Sequence, residues 1–303
     1  MSEQLKSAVK DLYGATARGA DVADAEGTAR VAAAFGYSEE ELAAIPEGSN
    51  LGLSCGNPTA LANLREGEVV LDLGSGGGID VFLAAKAVGA TGKAIGLDMT
   101  EDMINLARKN AEKTGITNAE FVLGDIEDMP IDAGSVDCII SNCVINLTTS
   151  KETAFKEMFR VLKPGGRVAI SDIALKKELP DELKESVDAY VGCIAGAITS
   201  DEFLAGMNAA GFNDIKVVDA QVDLNAYGEV DGQSACCSPV AAEPVASSCC
   251  GPKDPEPAAS SCCGPSEPAA KGTDVHDSLR ETMKSYDLND YAASVKVYAV
   301  KPA

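Results

Sequence analysis

The chain has 303 residues, an apolar share of 46% and a formal net charge of −22, which together are typical of a globular protein with a sizeable core. Such an acidic chain has no basic excess for counterion release, so nucleic acid and anionic membrane surfaces are excluded as partners. No stretch approaches the roughly 18 uninterrupted apolar residues of a membrane span. The opening MSEQLKS lacks the pattern of a secretory signal, so we expect a cytoplasmic protein that acts on small molecules or proteins.

The predicted elements begin with two helices, at residues 3–13 and 38–44, and the second opens on a capping-box pattern at Ser38 and Glu41. Apolar runs then alternate with helical patterns, as in right-handed βαβ units of a parallel sheet. Helices are predicted at 101–114 and 153–162. Compact apolar runs, typical of strands buried on both faces, predict five parallel strands at 68–73, 93–98, 119–123, 136–141 and 167–172.

Further elements follow this core, with helices predicted at 180–198 and 200–210 and strands at 214–224 and 294–300. The predicted fold is a doubly wound, seven-stranded Rossmann-like sheet whose last strand is antiparallel. The domain division that we expect is a helical cover, a central α/β core, a flanking region of helices and the final two strands, and a flexible insertion. These parts are residues 1–64, 65–175, 176–233 with 271–303, and 234–270.

The insertion at 234–270 contains three similar segments, each with an adjacent cysteine pair, and it lacks Leu, Ile and Phe. Such a segment cannot bury a core and is expected to be flexible. If the sixth strand runs parallel to the first five, the insertion begins at the edge where open α/β sheets bind ligands. Its paired cysteines are Cys236 and Cys237, Cys249 and Cys250, and Cys262 and Cys263.

A glycine-rich loop follows the first predicted strand in the sequence VVLDLGSGGG. Glycines let the backbone turn tightly and approach a ligand at a helix amino terminus. The dinucleotide spacing fails because Ile79 stands where a small residue is required, so NAD is disfavoured. The segment instead matches the D-x-G-x-G-x-G signature of class I S-adenosylmethionine methyltransferases, through Asp72, Gly74, Ser75, Gly76 and Gly78.

Other matches to that superfamily follow in the expected order. Asp98, beside Met99, resembles the acidic residue that accepts hydrogen bonds from the ribose hydroxyls of the cofactor. Asp125, beside Ile126, resembles the residue that bonds the adenine amino group. The run LKPGGR resembles the turn into the fifth strand, and Asn142 is a further candidate at the end of the fourth. The resemblance implies S-adenosyl-L-methionine as the cofactor.

Dispersed cysteines indicate the methyl acceptor, since the fold by itself does not. Cys143 follows the fourth predicted strand in SNCVINL, Cys193 lies beyond the fifth strand, and Cys55 lies in a loop before the first. Together with the cofactor motifs, these segments resemble arsenite methyltransferases over most of the chain. The resemblance implies that Cys55, Cys143 and Cys193 bind As(III), whereas Cys138, inside a strand, is expected to be a small buried hydrophobe.

The resemblance also implies arsenite methylation for arsenic detoxification, with thioredoxin or glutathione as the reductant. Three thiolates suit a soft, thiophilic centre and leave the arsenic lone pair free as a nucleophile. Relatives often carry an upstream cysteine that pairs with the counterpart of Cys55, and this chain has none, so the redox pairing is open. The alternatives are a methyltransferase for a small organic acceptor and an arsenic- or metal-buffering protein.

The six paired cysteines support a separate hypothesis about arsenic handling. Adjacent cysteines chelate soft ions as dithiols or close an easily reduced ring. The pairs would then capture arsenic for the site or supply electrons after each methylation. The alternative is a nonspecific thiol-rich linker.

Overall fold

The computed structural model describes residues 2–19, 25–184, 193–229 and 285–303. These residues form one mixed α/β sheet with helices on both faces. None of the helices in the described ranges is long and apolar enough to cross a membrane. The strands are β1 (Val69–Leu73), β2 (Lys93–Asp98), β3 (Ala119–Leu123), β4 (Val136–Asn142), β5 (Leu162–Leu175), β6 (Ile198–Thr199), β7 (Asn213–Asp219) and β8 (Ala292–Val300).

The main path of the sheet follows the order β3-β2-β1-β4-β5-β8-β7, and the short β6 pairs with the end of β5. Strands β1 to β5 are parallel to one another, whereas β8 is antiparallel to both β5 and β7. The predicted Rossmann-like sheet with an antiparallel last strand is therefore confirmed. This topology brings the carboxyl ends of β1, β2 and β4 to one edge, where open α/β sheets bind ligands.

The helices are held at their ends by local signals in the sequence. Helix α6 (Glu101–Thr114) ends at Gly115 in the left-handed conformation, and helix α9 (Ser200–Ala210) begins with a capping box made by Thr199 and Glu202. The predicted capping box of Ser38 and Glu41 is also present. The helices are α1 (Ser2–Gly19), α2 (Ala25–Ala34), α3 (Glu39–Ala43), α4 (Pro58–Ala62), α5 (Ile79–Val88), α6 (Glu101–Thr114), α7 (Lys151–Val161), α8 (Asp181–Lys184) and α9 (Ser200–Ala210).

The core has two layers because successive strand residues point to opposite faces of the sheet. Ile139 of β4 belongs to the layer that contains Phe155 of α7 and Phe203 of α9. Its neighbour Ile140 belongs to the opposite layer, with Phe82 of α5. A third apolar cluster lies at the carboxyl edge of the sheet and contains three of the dispersed cysteines, Cys55, Cys143 and Cys193.

The structure corrects several predicted boundaries. The predicted helix 180–198 is helical only over Asp181–Lys184, residues 185–192 lie outside the described residues, and Ile198–Thr199 extends along β5 instead. The fifth strand begins at Leu162, since the turn-like segment after it bonds to the chain terminus through Gly165 N–H and the Lys301 carbonyl, at 2.9 Å. Tertiary pairing overrides the local turn signal there.

Other differences concern the length of a strand and the presence of a helix. The sixth predicted strand is Asn213–Asp219, which is shorter than the predicted 214–224. The α2 helix was not predicted, because its alanine-rich sequence has little periodicity, although Val31 is fully buried. The insertion at 234–270, with its cysteine pairs, lies outside the described residues. The division into domains therefore stays a prediction.

Candidate active site

The glycine-rich loop joins β1 to α5 and forms one wall of a cavity at the carboxyl edge of the sheet. Gly74 has a φ of 68°, and its N–H donates to the Leu97 carbonyl at 2.7 Å. A Cβ at position 74 would overlap the Val144 side chain, so only glycine fits this close approach. Gly78 does not line the cavity; it turns the chain into α5, where a Cβ would meet Phe82.

Asp98 closes the next wall of the cavity at the end of β2. Its Oδ2 accepts a hydrogen bond from Gly76 N–H at 3.0 Å, and its Oδ1 accepts one from Thr100 N–H at 2.8 Å. Loss of solvent raises the pKa of Asp98, which these bonds partly offset. The carboxylate is thereby fixed to the glycine loop. Met99, the following residue, lines the same cavity.

Asp125 and Ile126 form the far end of the cavity, beneath the amino-terminal helix α1. The Lys6 ammonium of α1 lies 2.7 Å from Asp125 Oδ2 and 3.3 Å from Glu127 Oε2. Burial raises the pKa of Asp125, but the Lys6 ammonium and the Glu127 N–H together hold it below its ordinary value. Helix α1 therefore lines this end of the cavity.

The cavity is a concave site lined by both apolar and acidic side chains, as is usual for small-molecule sites. Burial raises the pKa of the carboxyls of Asp72 and Asp80 and so disfavours their ionised forms. A positively charged ligand beside them would favour the ionised carboxylates. The predicted cofactor residues that line it are Asp72, Gly74, Ser75, Gly76, Asp98, Met99, Asp125, Ile126 and Asn142.

These residues fit S-adenosylmethionine, whose sulfonium and ammonium groups are positive. The buried Ser75 hydroxyl has no hydrogen-bond partner among the described residues, so it is available to a ligand. The Gly77 backbone also lies close to the opposite wall, where a Cβ would stand 2.9 Å from the Ser49 carbonyl. The loop is thus shaped for backbone contact with a ligand.

A thiol cluster adjoins this cavity and consists of Cys55, Cys143 and Cys193. The structure joins Cys55 to Cys143 as a disulfide, with Cα atoms 5.5 Å apart. The sequence left the partner of Cys55 open, and the structure places Cys143 opposite it. The Asp172 carboxylate belongs to the same cluster, since its oxygen and the two sulfurs lie within 4.8 Å of one another.

Cys193 is a free, buried thiol of the same apolar cluster, but its Sγ is not among the ligand atoms of Cys55, Cys143 and Asp172 that lie within 4.8 Å of one another. Its Sγ lies 2.9 Å from the Cys143 carbonyl oxygen, to which it donates. Burial raises the pKa of the Cys193 thiol well above its usual value, the Asp172 carboxylate raises it further, and a hydrogen bond from Tyr13 opposes both. Cys143 and Cys193 have φ values of 58° and 63°, a left-handed conformation that is unfavourable for residues with a Cβ.

Asp172 was not predicted as a site residue. Its carboxylate accepts hydrogen bonds from Ile145 N–H at 3.0 Å, Asn146 Nδ2 at 2.9 Å and Ile173 N–H at 2.8 Å. Burial nevertheless raises its pKa to about 7. The sequence could have indicated Asp172, because an aspartate within the apolar fifth strand must be buried, and aspartate is rarely buried without a partner.

Two more residues near the site, Tyr37 and Asp80, were not predicted from the sequence, and Asp80 lines the cavity. Tyr37 and Asp80 are both buried, and the Tyr37 hydroxyl donates to both Asp80 oxygens, at 2.8 and 2.9 Å. Cys138, by contrast, is separate from the thiol cluster. It is buried in the opposite core layer, and burial raises the pKa of its thiol to about 12.

Comparisons with known proteins identify the family of the chain. A family model described as a methyltransferase domain matches residues 64–211. An arsenite methyltransferase of Halobacterium salinarum is 46% identical over 197 residues, which is 65% of this chain and 49% of that protein. A ubiquinone/menaquinone biosynthesis C-methyltransferase of Salmonella arizonae is 35% identical over 130 residues, covering 43% of this chain and 51% of the relative. The chain thus spans about half the length of the curated relatives that it matches.

The chain matches a larger share of one solved structure than of these curated relatives. That structure is the crystal structure of an arsenic(III) S-adenosylmethionine methyltransferase from Chlamydomonas reinhardtii, with 32% sequence identity and a TM-score of 0.50. The match covers 66% of this chain and 68% of that one. The predicted resemblance is therefore confirmed, and the chain belongs to the family of arsenite S-adenosylmethionine methyltransferases, whose cofactor is S-adenosylmethionine.

Proposed function

We propose that this protein transfers methyl groups from S-adenosylmethionine to trivalent arsenic held by the thiolates of Cys55, Cys143 and Cys193. One observation supports it above the others: Cys143 lines the cofactor cavity and also belongs to the thiol cluster. An acceptor on these sulfurs would be adjacent to the donor, and proximity of the reactants lowers the barrier to a bimolecular transfer.

The chain's own residues would hold the cofactor through fixed polar groups. Asp98, held by the glycine loop, faces the cavity as an acceptor for ribose hydroxyls. Asp125 accepts from the adenine end once its bond to Lys6 is shared or exchanged. Asp72 and Asp80 provide negative charge near the loop. When bound, S-adenosylmethionine supplies an electrophilic methyl group on a positively charged sulfur.

The thiol cluster would bind arsenic as a pyramidal centre. Soft thiolate ligands suit As(III), and three of them leave its lone pair free. Because that lone pair would be the nucleophile, no side chain has to remove a proton from the acceptor. The transfer would raise arsenic formally from +3 to +5, and two of the thiolates would return it to +3 by leaving together as a disulfide, with an external thiol taking a vacated position. The chain's contribution is then to position the acceptor and to exclude water, which the burial of all three sulfurs achieves.

The disulfide between Cys55 and Cys143 requires a reductant before both sulfurs are available to arsenic. Two thiols would donate two electrons and two protons, leaving two protein thiols and one disulfide of the reductant. We propose thioredoxin- or glutathione-type thiols for this step. Buried free thiols suit a reducing compartment, so the proposed location is the cytoplasm and the proposed role is arsenic detoxification.

The test is turnover of S-adenosylmethionine with arsenite and excess thiol, with the arsenic products separated by chromatography and detected by mass spectrometry. The intact chain is compared with Cys143→Ser and Cys193→Ser, and Cys138→Ala serves as the control because Cys138 lies outside the cluster. We expect methylated arsenic from the intact chain and the control, and none from either serine variant.

Each alternative function has its own outcome in this assay. Serine variants that still consume S-adenosylmethionine would favour an organic acceptor, as in the C-methyltransferase relatives. Binding of arsenite without consumption of S-adenosylmethionine would favour arsenic buffering. Deletion of residues 234–270 tests the proposed role of the cysteine pairs, which requires a loss of arsenite affinity or turnover.

A further inference from the structure

The Asn142 side chain bonds two successive backbone groups of the loop that contains Cys55. Its Oδ1 accepts from Cys55 N–H at 2.8 Å, and its Nδ2 donates to the Gly56 carbonyl at 2.8 Å. Because a backbone N–H can only donate, the oxygen of the carboxamide must face Cys55, which fixes its orientation. Asn142 directly precedes Cys143, so one side chain connects the backbones on both sides of the thiol pair.

Two buried residues, Tyr37 and Asp80, also contact the carboxamide of Asn142. Asn142 Nδ2 also donates to the Tyr37 hydroxyl at 2.8 Å and approaches Asp80 Oδ2 at 3.2 Å. The Tyr37 hydroxyl in turn donates to the Asp80 carboxylate, and it receives a hydrogen bond from Ser54, next to Cys55. Asp80 lies in the first turn of α5, so the network reaches from the glycine loop to the thiols.

The loop that contains Cys55 is also confined on its other side. The Ser294 hydroxyl donates to the Cys55 carbonyl at 2.6 Å, and a Cβ at Gly56 would stand 2.7 Å from Ser171. These contacts limit the movement of the loop. Its backbone is also bonded by the carboxamide of Asn142, which in turn contacts Tyr37 and Asp80.

We infer that Tyr37 and Asp80 are positioning residues of the arsenic site, which act through Asn142 to hold Cys55 opposite Cys143. This inference rests on the proposed function. Without the Tyr37 hydroxyl, the Asp80 carboxylate loses its O–H donor and the carboxamide loses an acceptor, so Asn142 is free to turn toward Asp80. Cys55 then leaves the pair, and bound arsenic keeps two sulfur ligands instead of three.

The experiment counts the sulfur ligands of arsenic by X-ray absorption at the arsenic K edge, with one equivalent of arsenite. A phosphine is used as the reductant because it contains no thiol that could itself bind arsenic. The full chain is used, with serine at the six paired cysteines so that the spectrum reports on the core site. Tyr37→Phe is the test variant because it removes one hydroxyl and Tyr37 does not line the cofactor cavity. Tyr298→Phe, a half-buried tyrosine on β8, is the matched control.

We expect three sulfurs around arsenic in the parent and in Tyr298→Phe, and two sulfurs with one oxygen in Tyr37→Phe. Turnover with arsenite should fall at least about tenfold in Tyr37→Phe, the usual scale for loss of an outer hydrogen-bond partner at a metal site. The KM for S-adenosylmethionine should change less than turnover does. A purely structural role would lower the melting temperature without changing the ligand count.

Three sulfurs in a folded Tyr37→Phe, with turnover within about twofold of the parent, would overturn the inference and leave the proposed function standing. A parent that binds no arsenite would overturn both. Should Tyr37→Phe not fold, Asn142→Asp tests the same contact with almost unchanged shape. It places a carboxylate oxygen against the Gly56 carbonyl and Asp80, so two sulfurs are again expected, and three would overturn the inference.

Discussion

The glycine loop and the thiol cluster adjoin each other, yet the chain builds them in different ways. The loop is a continuous segment between β1 and α5, and Asp98, whose side chain bonds it, ends the adjacent strand. The cluster combines sulfurs from segments far apart, since Cys55 and Cys143 are separated by 88 residues. A continuous segment has its geometry largely set by local backbone rules, whereas a cluster depends on every contact that brings its parts together.

This difference predicts which property a substitution in each region should change. Changes in the loop act through the fit of one backbone segment, so they should affect cofactor binding or folding. Changes around the cluster act through long-range contacts, so they should affect arsenic chemistry while cofactor binding survives. Substitutions in the two regions should therefore change cofactor binding and arsenic chemistry independently.

The largest effect is expected for Cys193→Ser. Replacing the sulfur by a harder oxygen removes one of the proposed arsenic ligands, so turnover with arsenite should fall by more than about 100-fold, beyond the usual cost of an outer-shell change. The affinity for S-adenosylhomocysteine, measured by calorimetry, should stay within about twofold, because the cofactor walls are intact. A parallel loss of cofactor affinity would show that the two regions do not separate.

Asp98→Ala tests the opposite side of the comparison. Loss of a carboxylate that accepts from ligand hydroxyls should cost about 1.5–3 kcal/mol of cofactor binding, or roughly 10- to 100-fold in affinity. Calorimetry with S-adenosylhomocysteine measures it. Arsenite affinity should remain unchanged, and a comparable fall in it would contradict the separation.

Gly74→Ala tests the point at which the regions touch, because the new Cβ would overlap Val144, the neighbour of Cys143. Gly134→Ala is the matched control, since Gly134 has a similar positive φ of 64° but nothing within 4 Å of a Cβ. We expect Gly74→Ala to lower the free energy of unfolding by about 1–3 kcal/mol more than the control does, the usual cost of overpacking. Urea titration measures both, and equal losses would show that Val144 simply moves aside.

Lys6→Met should have the smallest effect, because the ion pair with Asp125 is partly exposed. After screening by solvent, the loss of stability should be under about 1 kcal/mol. The folded-state pKa of Asp125 is lowered, so its contribution is present above about pH 4 and is lost as pH falls through the folded value. The pKa of Lys6 is raised, so its contribution persists until pH exceeds its ordinary value of about 10.4.

The measurement is the difference in urea midpoint between the parent and Lys6→Met across pH. We expect a small constant difference at neutral pH that disappears in acid. A difference that grows as pH falls would contradict the assigned ion pair.

Much of the fold and of the cofactor site could be predicted from the sequence. The bounds predicted for the strands at 93–98 and 119–123 and for the helix at 101–114 agree with the structure. Burial on both faces was wrong for 119–123, because this strand lies at the edge of the sheet and only Phe121 is buried. The aspartates at strand ends could be predicted because the ends of strands and the starts of helices depend on residues close together in the chain. Boundaries failed where pairing was remote, as at Leu162, which joins the sheet through Val136 and the chain terminus.

What the sequence by itself determined was the parallel α/β core, the glycine loop and the thiol-bearing segments. It did so because turns, caps and strand periodicity depend on residues close together in the chain. Only the tertiary structure decided that Cys55 pairs with Cys143, that Asp172 joins them, and that Tyr37 and Asp80 stand behind Asn142. Hydrogen bonds between side chains more than 40 residues apart leave no periodic trace, since their geometry is created by the packing of the whole sheet.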